Sequence, residues 1–143
     1  MYGIESVMIT RIIISFVLGG LIGIERELSH KPAGLKTHIL VSMGSALFTT
    51  ISIFNFPMDS ARMVANIITG IGFIGAGAII GSRGHVQGIT TSATIWIAAA
   101  IGIAVGVGYY TLATTVAIIS LIALLVLRKI EFKILRRRGR MSS

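Results

Sequence analysis

Cysteine is absent from the 143 residues. Disulfides and thiolate metal sites are thereby excluded, and the redox compartment is not readable from the chain. Charge is scarce: 13% of residues are charged and 54% are hydrophobic, where a soluble domain carries roughly 25% charged residues. With a mean hydropathy of +0.90, the chain lacks the polar groups to cover a water-soluble fold. It reads as one integral membrane domain. Acids are scarcest of all. Five of them, Glu5, Glu25, Glu27, Asp59 and Glu131, stand against 13 Lys and Arg, and all five fall in loops or at the ends of apolar runs. No Ser-His-Asp or Cys-His constellation is available, and no carboxylates pair in a cleft-forming context. Catalysis and a cofactor are not expected. The amino terminus has no basic n-region and no A-x-A site after its apolar run, so a cleaved signal peptide is not expected either.

What is present is apolar length. A bilayer core of about 30 Å takes about 20 apolar residues at 1.5 Å rise each. Five segments qualify: Glu5–Ile24, Thr37–Phe54, Arg62–Ile80, Ile89–Val107 and Tyr109–Leu127. The fold class predicted is an all-α membrane bundle of about five helices, with residues 1–127 as the membrane domain and 128–143 as a basic tail. From Ile89 to Leu127 there is no charge, so that run must turn, and Gly106 to Tyr110 is the expected turn. Tyr109 and Tyr110 then meet an interface. Orientation follows from the basic residues. Arg26, Lys31, Lys36, Arg83 and the seven in "RKIEFKILRRRGR" fall on one side; only Arg11 and Arg62 fall on the other. The positive-inside rule puts the amino terminus outside and the carboxyl terminus in the cytoplasm. The tail is expected to rest on anionic lipid, as an interfacial helix or a disordered anchor.

"TGIGFIGAGAIIG" contains Gly70, Gly72 and Gly75 at the G-x-G-x-x-G spacing of a dinucleotide loop. That motif needs a strand before it, a helix after it and an acid about 20 residues on. Here the flanks are one membrane-length run and the next acid is Glu131. The glycines are therefore read as places where helix backbones approach in lipid. Arg62, Asn66, Gly70, Gly77 and Gly81 form one stripe of span three; Thr90, Thr94, Ala98, Gly102 and Gly106 form one of span four. Spans three and four are expected to be the tight centre of the bundle. "GLKTHILVSMGSA" and "GITTSATIWIAAA" also echo each other, which suggests spans one and two as a parallel repeat of three and four.

Ionisable groups at membrane depth are functional hypotheses. Glu25, Arg26 and Glu27 lie at the cytoplasmic end of span one, either as a water-reached flank or as a cluster for a cation or partner. Arg62 and Asn66 share a face, with Asn66 expected to hydrogen-bond another helix. Arg11 is expected to snorkel outward or to pair with Asp59. The hydroxyls of Thr90, Thr91 and Ser92 are expected to cap span four, with an ion site at that helix end as the sharper alternative. Trp96 lies inside span four and is expected to fill space against small neighbours. His30, His38 and His85 match no metal spacing and are expected to be solvated or capping.

In chain order, "GGLIGIERE", "AGLKTHILVSMGSALFT", "ARMVANIITGIGFIGAGAII" and "GITTSATIWIAAAIGIAVGVGYY" resemble the motifs of the MgtC/SapB family of bacterial inner-membrane proteins. The resemblance runs from about Gly19 to Tyr110. Matching positions are Glu25, Arg26, Glu27, Gly34, Thr37, Arg62, Gly70, Gly72, Gly75, Gly77, Gly88, Thr90, Thr91 and Trp96. The resemblance implies a role in adaptation to magnesium limitation and intramacrophage survival, exerted by restraining the F-type ATP synthase in the membrane. Self-association through the glycine faces is expected beside it. Several family members carry a soluble ACT-like domain, and none is expected after this tail. The alternative is an ion channel or carrier for magnesium or protons near Glu25, Asn66 and Thr90. Acids confined to the ends make a lone subunit a poor magnesium path, since that ion wants oxygen ligands and sheds water reluctantly; an oligomeric pore stays open as a possibility.

Overall fold

A computed structural model describes residues 2–82 and 85–139, with side chains for 3–79 and 86–129. Arg83 and the tail's basic side chains beyond Lys129 lie outside the described residues. Five helices carry the chain: α1 (Tyr2–Leu28), α2 (Leu35–Asn55), α3 (Ser60–Gly77), α4 (Ile89–Val107) and α5 (Tyr110–Gly139). A 3-10 turn at Pro57–Asp59 joins α2 to α3. A two-stranded antiparallel ribbon, β1 (Ile80–Ser82) and β2 (His85–Gln87), joins α3 to α4.

Backbone chemistry explains the stops. α1 ends with Lys31 N–H bonded to the Arg26 carbonyl and His30 N–H to that of Glu27. This is the double bond pattern of a left-handed cap, with His30 at φ 51° where glycine is usual. α4 ends the same way at Gly108, φ 103°, whose N–H and that of Tyr109 reach back to Val105 and Ala104. The turn expected between Gly106 and Tyr110 is here, and both tyrosines are exposed on it.

Among the described residues, four helices are long and apolar enough to cross a membrane: α1, α2, α4 and α5 as far as Lys129. α3 falls short, with Arg62 and Asn66 among its 18 residues. Its place is set by its neighbours instead. α2 and α4 run parallel, since His38 meets Thr94 near their starts and Thr50 meets Gly106 near their ends. The chain must return between them, and α3 at 18 residues covers about 27 Å. The parallel placement also fits the echo between the two segments, without testing descent from a repeat. Span three, drawn to Ile80, ends instead at Gly77. Gly81 therefore lies in β1 rather than on a helix stripe. The basic tail begins as a continuation of α5.

The packing centre differs from the expected one. α2 is the hub, between α1 and α4. A Cβ built on Gly19 of α1 would lie 2.6 Å from Cβ of Ser42, and one on Gly23 2.8 Å from Cα of Leu35. On α4, a Cβ at Gly102 would overlap the Ser42 carbonyl and one at Gly106 would lie 2.6 Å from Cβ of Thr49. Real side chains do not come so close, so these backbones touch only because the residue is glycine. α3 is the contrary case. Cβ atoms at Gly70, Gly72 and Gly77 would meet nothing within 4 Å, and only Gly75 packs, against Ser92. The α4 stripe thus faces α2, not α3. Two apolar clusters flank the hub. Leu18, Ile22, Ile101, Val105, Ala113 and Ala117 join α1, α4 and α5, while Ile71, Ile95 and Ala99 join α3 to α4.

Candidate functional site

Helical spacing puts His38, Ser42, Ser45, Thr49 and Ser52 on one face of α2, at alternating steps of four and three. All five are buried. Polar side chains tolerate this only when protein or water satisfies them. The result is a polar file along the inside of the bundle, walled by the glycines of α1 and α4.

At the end that carries the basic residues the file begins in an ion cluster. Glu25 and Arg26 are 6% and 3% exposed; the expected water-reached flank is instead inside the protein. Arg26 Nε donates to Glu25 Oε2 at 2.6 Å, and Ser29 Oγ donates to Oε1 at 2.7 Å. From α5, Arg128 donates to Ser29 Oγ and lies 3.6 Å from Glu25 Oε1. One guanidinium nitrogen of Arg26, Nη1, is buried without a partner. Glu27 is exposed and has a different task. Its Oε2 accepts the Leu35 N–H at 3.0 Å, closing an orphan amide of α2. A Cβ on Gly34 would occupy the same space as that carboxylate.

His38 comes next and is fully buried, not solvated. Its Nδ1 lies 2.8 Å from the Gly34 carbonyl and its Nε2 3.0 Å from Thr94 Oγ1. Thr94 Oγ1 also lies 2.8 Å from the Thr91 carbonyl. Beyond His38, Ser42 Oγ and Thr49 Oγ1 are buried and unpartnered. The opposite end is closed by Arg11. It neither snorkels free nor pairs with Asp59; its Nη1 donates to the Gly106 carbonyl at 2.6 Å, and its guanidinium stands 5.1 Å from the Phe54 ring centroid. The Gly106 carbonyl is an orphan acceptor of the α4 terminus, and a cation there also meets the helix dipole.

The other expected residues divide. Thr91 is buried beside the file, but Thr90, one residue away, is exposed. No hydroxyl caps α4, whose cap is Gly88 at φ 92°. Asp59 pairs with Arg62 at 2.9 Å, on the surface. Asn66 is exposed and lines a groove of about 570 Å³ between α2 and α3. Trp96 faces outward, 49% exposed, and fills no internal space. No cluster of metal-ligating side chains occurs among the described residues. The sequence reading missed the α2 face altogether. Its signal is the alternating step of four and three that joins His38, Ser42, Ser45, Thr49 and Ser52.

Comparison with known proteins places these features. The family model described as "MgtC family" matches residues 12–133. Protein SapB of Bacillus subtilis (strain 168) is 44% identical over 117 residues, covering 75% of this chain and 50% of SapB. Protein MgtC of Brucella abortus (strain 2308) is 42% identical over 128 residues, covering 86% and 54%. YhiD of Escherichia coli (strain K12), provisionally named a magnesium transporter, is 38% identical over 138 residues, covering 90% and 64%. The chain thus spans between half and just under two thirds of these relatives. No solved structure matches.

Proposed function

The chain belongs to the MgtC family, and from that premise we propose that it is a non-catalytic regulator in the bacterial inner membrane, acting by helix contacts with a membrane partner. The observation that carries the reading is the outward face of α3. Gly70 and Gly77 leave open space there, and the exposed Asn66 stands on the same face. Leu40, Phe48, Met63, Ile67 and Ile74 line the adjoining groove. In lipid, small residues and a polar anchor favour a docked helix, because dispersion and an interhelical hydrogen bond drive association there. We propose the F-type ATP synthase as that partner and adaptation to magnesium limitation as the setting, as the family resemblance implies. Self-association is proposed through the same face, and the basic run from Arg128 is proposed to rest on anionic lipid. A magnesium path through one chain gains no support, since α2 and α4 carry no carboxylate and α3 carries none within its span.

The test is ATP-driven proton pumping in inverted membrane vesicles, with the wild type or Gly70→Leu reconstituted at equal amounts. The wild type is expected to depress pumping, and the leucine, which fills the open face, is expected to restore it. Equal pumping with and without the protein would overturn the reading.

A further inference from the structure

Three buried polar atoms on the internal file have no partner: Arg26 Nη1, Ser42 Oγ and Thr49 Oγ1. They follow one another from the cytoplasmic end towards Arg11, whose own Nε is also unpartnered. Orphan groups of this kind, spaced along one polar face, are the places that ordered water fills. Among them stands one titratable side chain, His38.

The hydrogen bonds around His38 define which atom exchanges a proton. The Gly34 carbonyl can only accept, so Nδ1 holds a hydrogen in either charge state. Thr94 Oγ1 has one hydrogen and two acceptors within reach, His38 Nε2 at 3.0 Å and the Thr91 carbonyl at 2.8 Å. With neutral His38, the Thr94 hydroxyl donates to Nε2. With protonated His38, Nε2–H donates to Oγ1 and the hydroxyl turns to the Thr91 carbonyl. Both states are fully bonded, and they differ by one proton on Nε2 and one hydroxyl rotation. A buried histidine with a satisfied arrangement in each state suits proton relay at membrane depth. The charged groups that act on the ring come from α1, namely Glu25 and Arg26, with Arg128 of α5 behind them on Glu25. α4 presents only the hydroxyls of Thr91 and Thr94. Arg11 closes the other end with a fixed positive charge, the device by which pores repel protons.

We propose that the file between α1, α2 and α4 is a hydrated proton path, with His38 Nε2 as its protonatable station and Arg11 on the Gly106 carbonyl as its outer latch. A proton entering from cytoplasmic water binds Nε2 and converts His38 to imidazolium, and it leaves from the same Nε2 towards Ser42. At each transfer the hydrogen bond between Nε2 and Thr94 opens to water and the Thr94 hydroxyl turns, and the N–H is the one covalent bond made and broken. The inference stands apart from the partner reading, since it needs only this chain.

Proteoliposomes holding only this protein, loaded with a pH dye and polarised with potassium and valinomycin, test it. The latched wild type is expected to stay near the rate of empty liposomes. Arg11→Met should raise proton entry about tenfold, and His38→Asn added to it should return the rate to the empty-liposome level. Leak through Arg11→Met that His38→Asn leaves unchanged, or no leak from folded Arg11→Met, would overturn the path. Should Arg11→Met fail to fold, nitrogen NMR of histidine-labelled protein carrying His30→Gln and His85→Gln reads the station directly. The His38 Nε2 resonance is expected to move between neutral and protonated positions as bulk pH is swept over roughly pH 8 to 5. A resonance fixed throughout that sweep would equally overturn the proposal.

Discussion

α4 and α3 carry similar stripes of glycine and use them in opposite ways. On α4, Gly102 and Gly106 are filled to the backbone by Ser42, Ser45 and Thr49 of α2; on α3, Gly70, Gly72 and Gly77 look onto nothing. The two sides of the bundle also treat charge differently. The buried Glu25–Arg26 pair sits at the closed side of the bundle, while Arg62 and Asp59 pair in the open, 74% and 53% exposed. A glycine stripe therefore says that a backbone can come close. Whether one does is decided by the facing helix.

The largest effect expected from this contrast is at Gly102. Gly102→Leu must displace the α2 backbone at Ser42, and overpacking of this kind costs about 3 kcal/mol or more where the neighbour cannot move. Unfolding in detergent, followed through the single tryptophan, Trp96, should show a fall in midpoint of that size or no folded protein. A loss below about 1 kcal/mol would mean that the α2–α4 seam is looser than described, and the contrast with α3 would dissolve.

How much of this was legible beforehand follows the same line. The bundle, the turn at Gly108, the Gly102–Gly106 stripe and the charge asymmetry are written in local composition, because lipid forces apolar length and backbone satisfaction on every span. The partner of the stripe was not. Serine and threonine on α2 read as unremarkable polar residues until their alternating spacing is laid against α4. Thr90 and Thr91 show the finer limit. One residue turns a helix position by about 100°, and the exposed Thr90 was the one placed on the stripe. Ile79 and Ile80 continue the apolar run, so the end of α3 at Gly77 and the start of β1 at Ile80 are hidden at the end of a span. Arg11 was misassigned because its acceptor is a backbone carbonyl 95 residues away, which no side-chain pattern encodes.

The charged pairs sharpen the comparison at intermediate size. Glu25→Gln leaves Arg26 buried with its charge uncompensated, and breaking such a pair from one side costs about 3 kcal/mol. Asp59→Asn removes an exposed pair, worth less than about 1 kcal/mol. Measured together by denaturant unfolding, the two should differ severalfold in stability loss. Equal losses would mean that the Glu25–Arg26 pair is no better shielded than the exposed Asp59–Arg62 pair, and the contrast between the two would dissolve.

The smallest effect expected is the most informative about use. Gly70→Leu adds a side chain where no atom stands within 4 Å, so the isolated protein should unfold within about 0.5 kcal/mol of wild type. A destabilisation comparable to that of Gly102→Leu would show that the α3 face is already packed, leaving no open face for a partner. Near-wild-type stability combined with lost depression of proton pumping would separate folding from docking in one variant. The glycines of α4 would then be there to bring this chain's own helices together, and those of α3 to receive a helix from elsewhere.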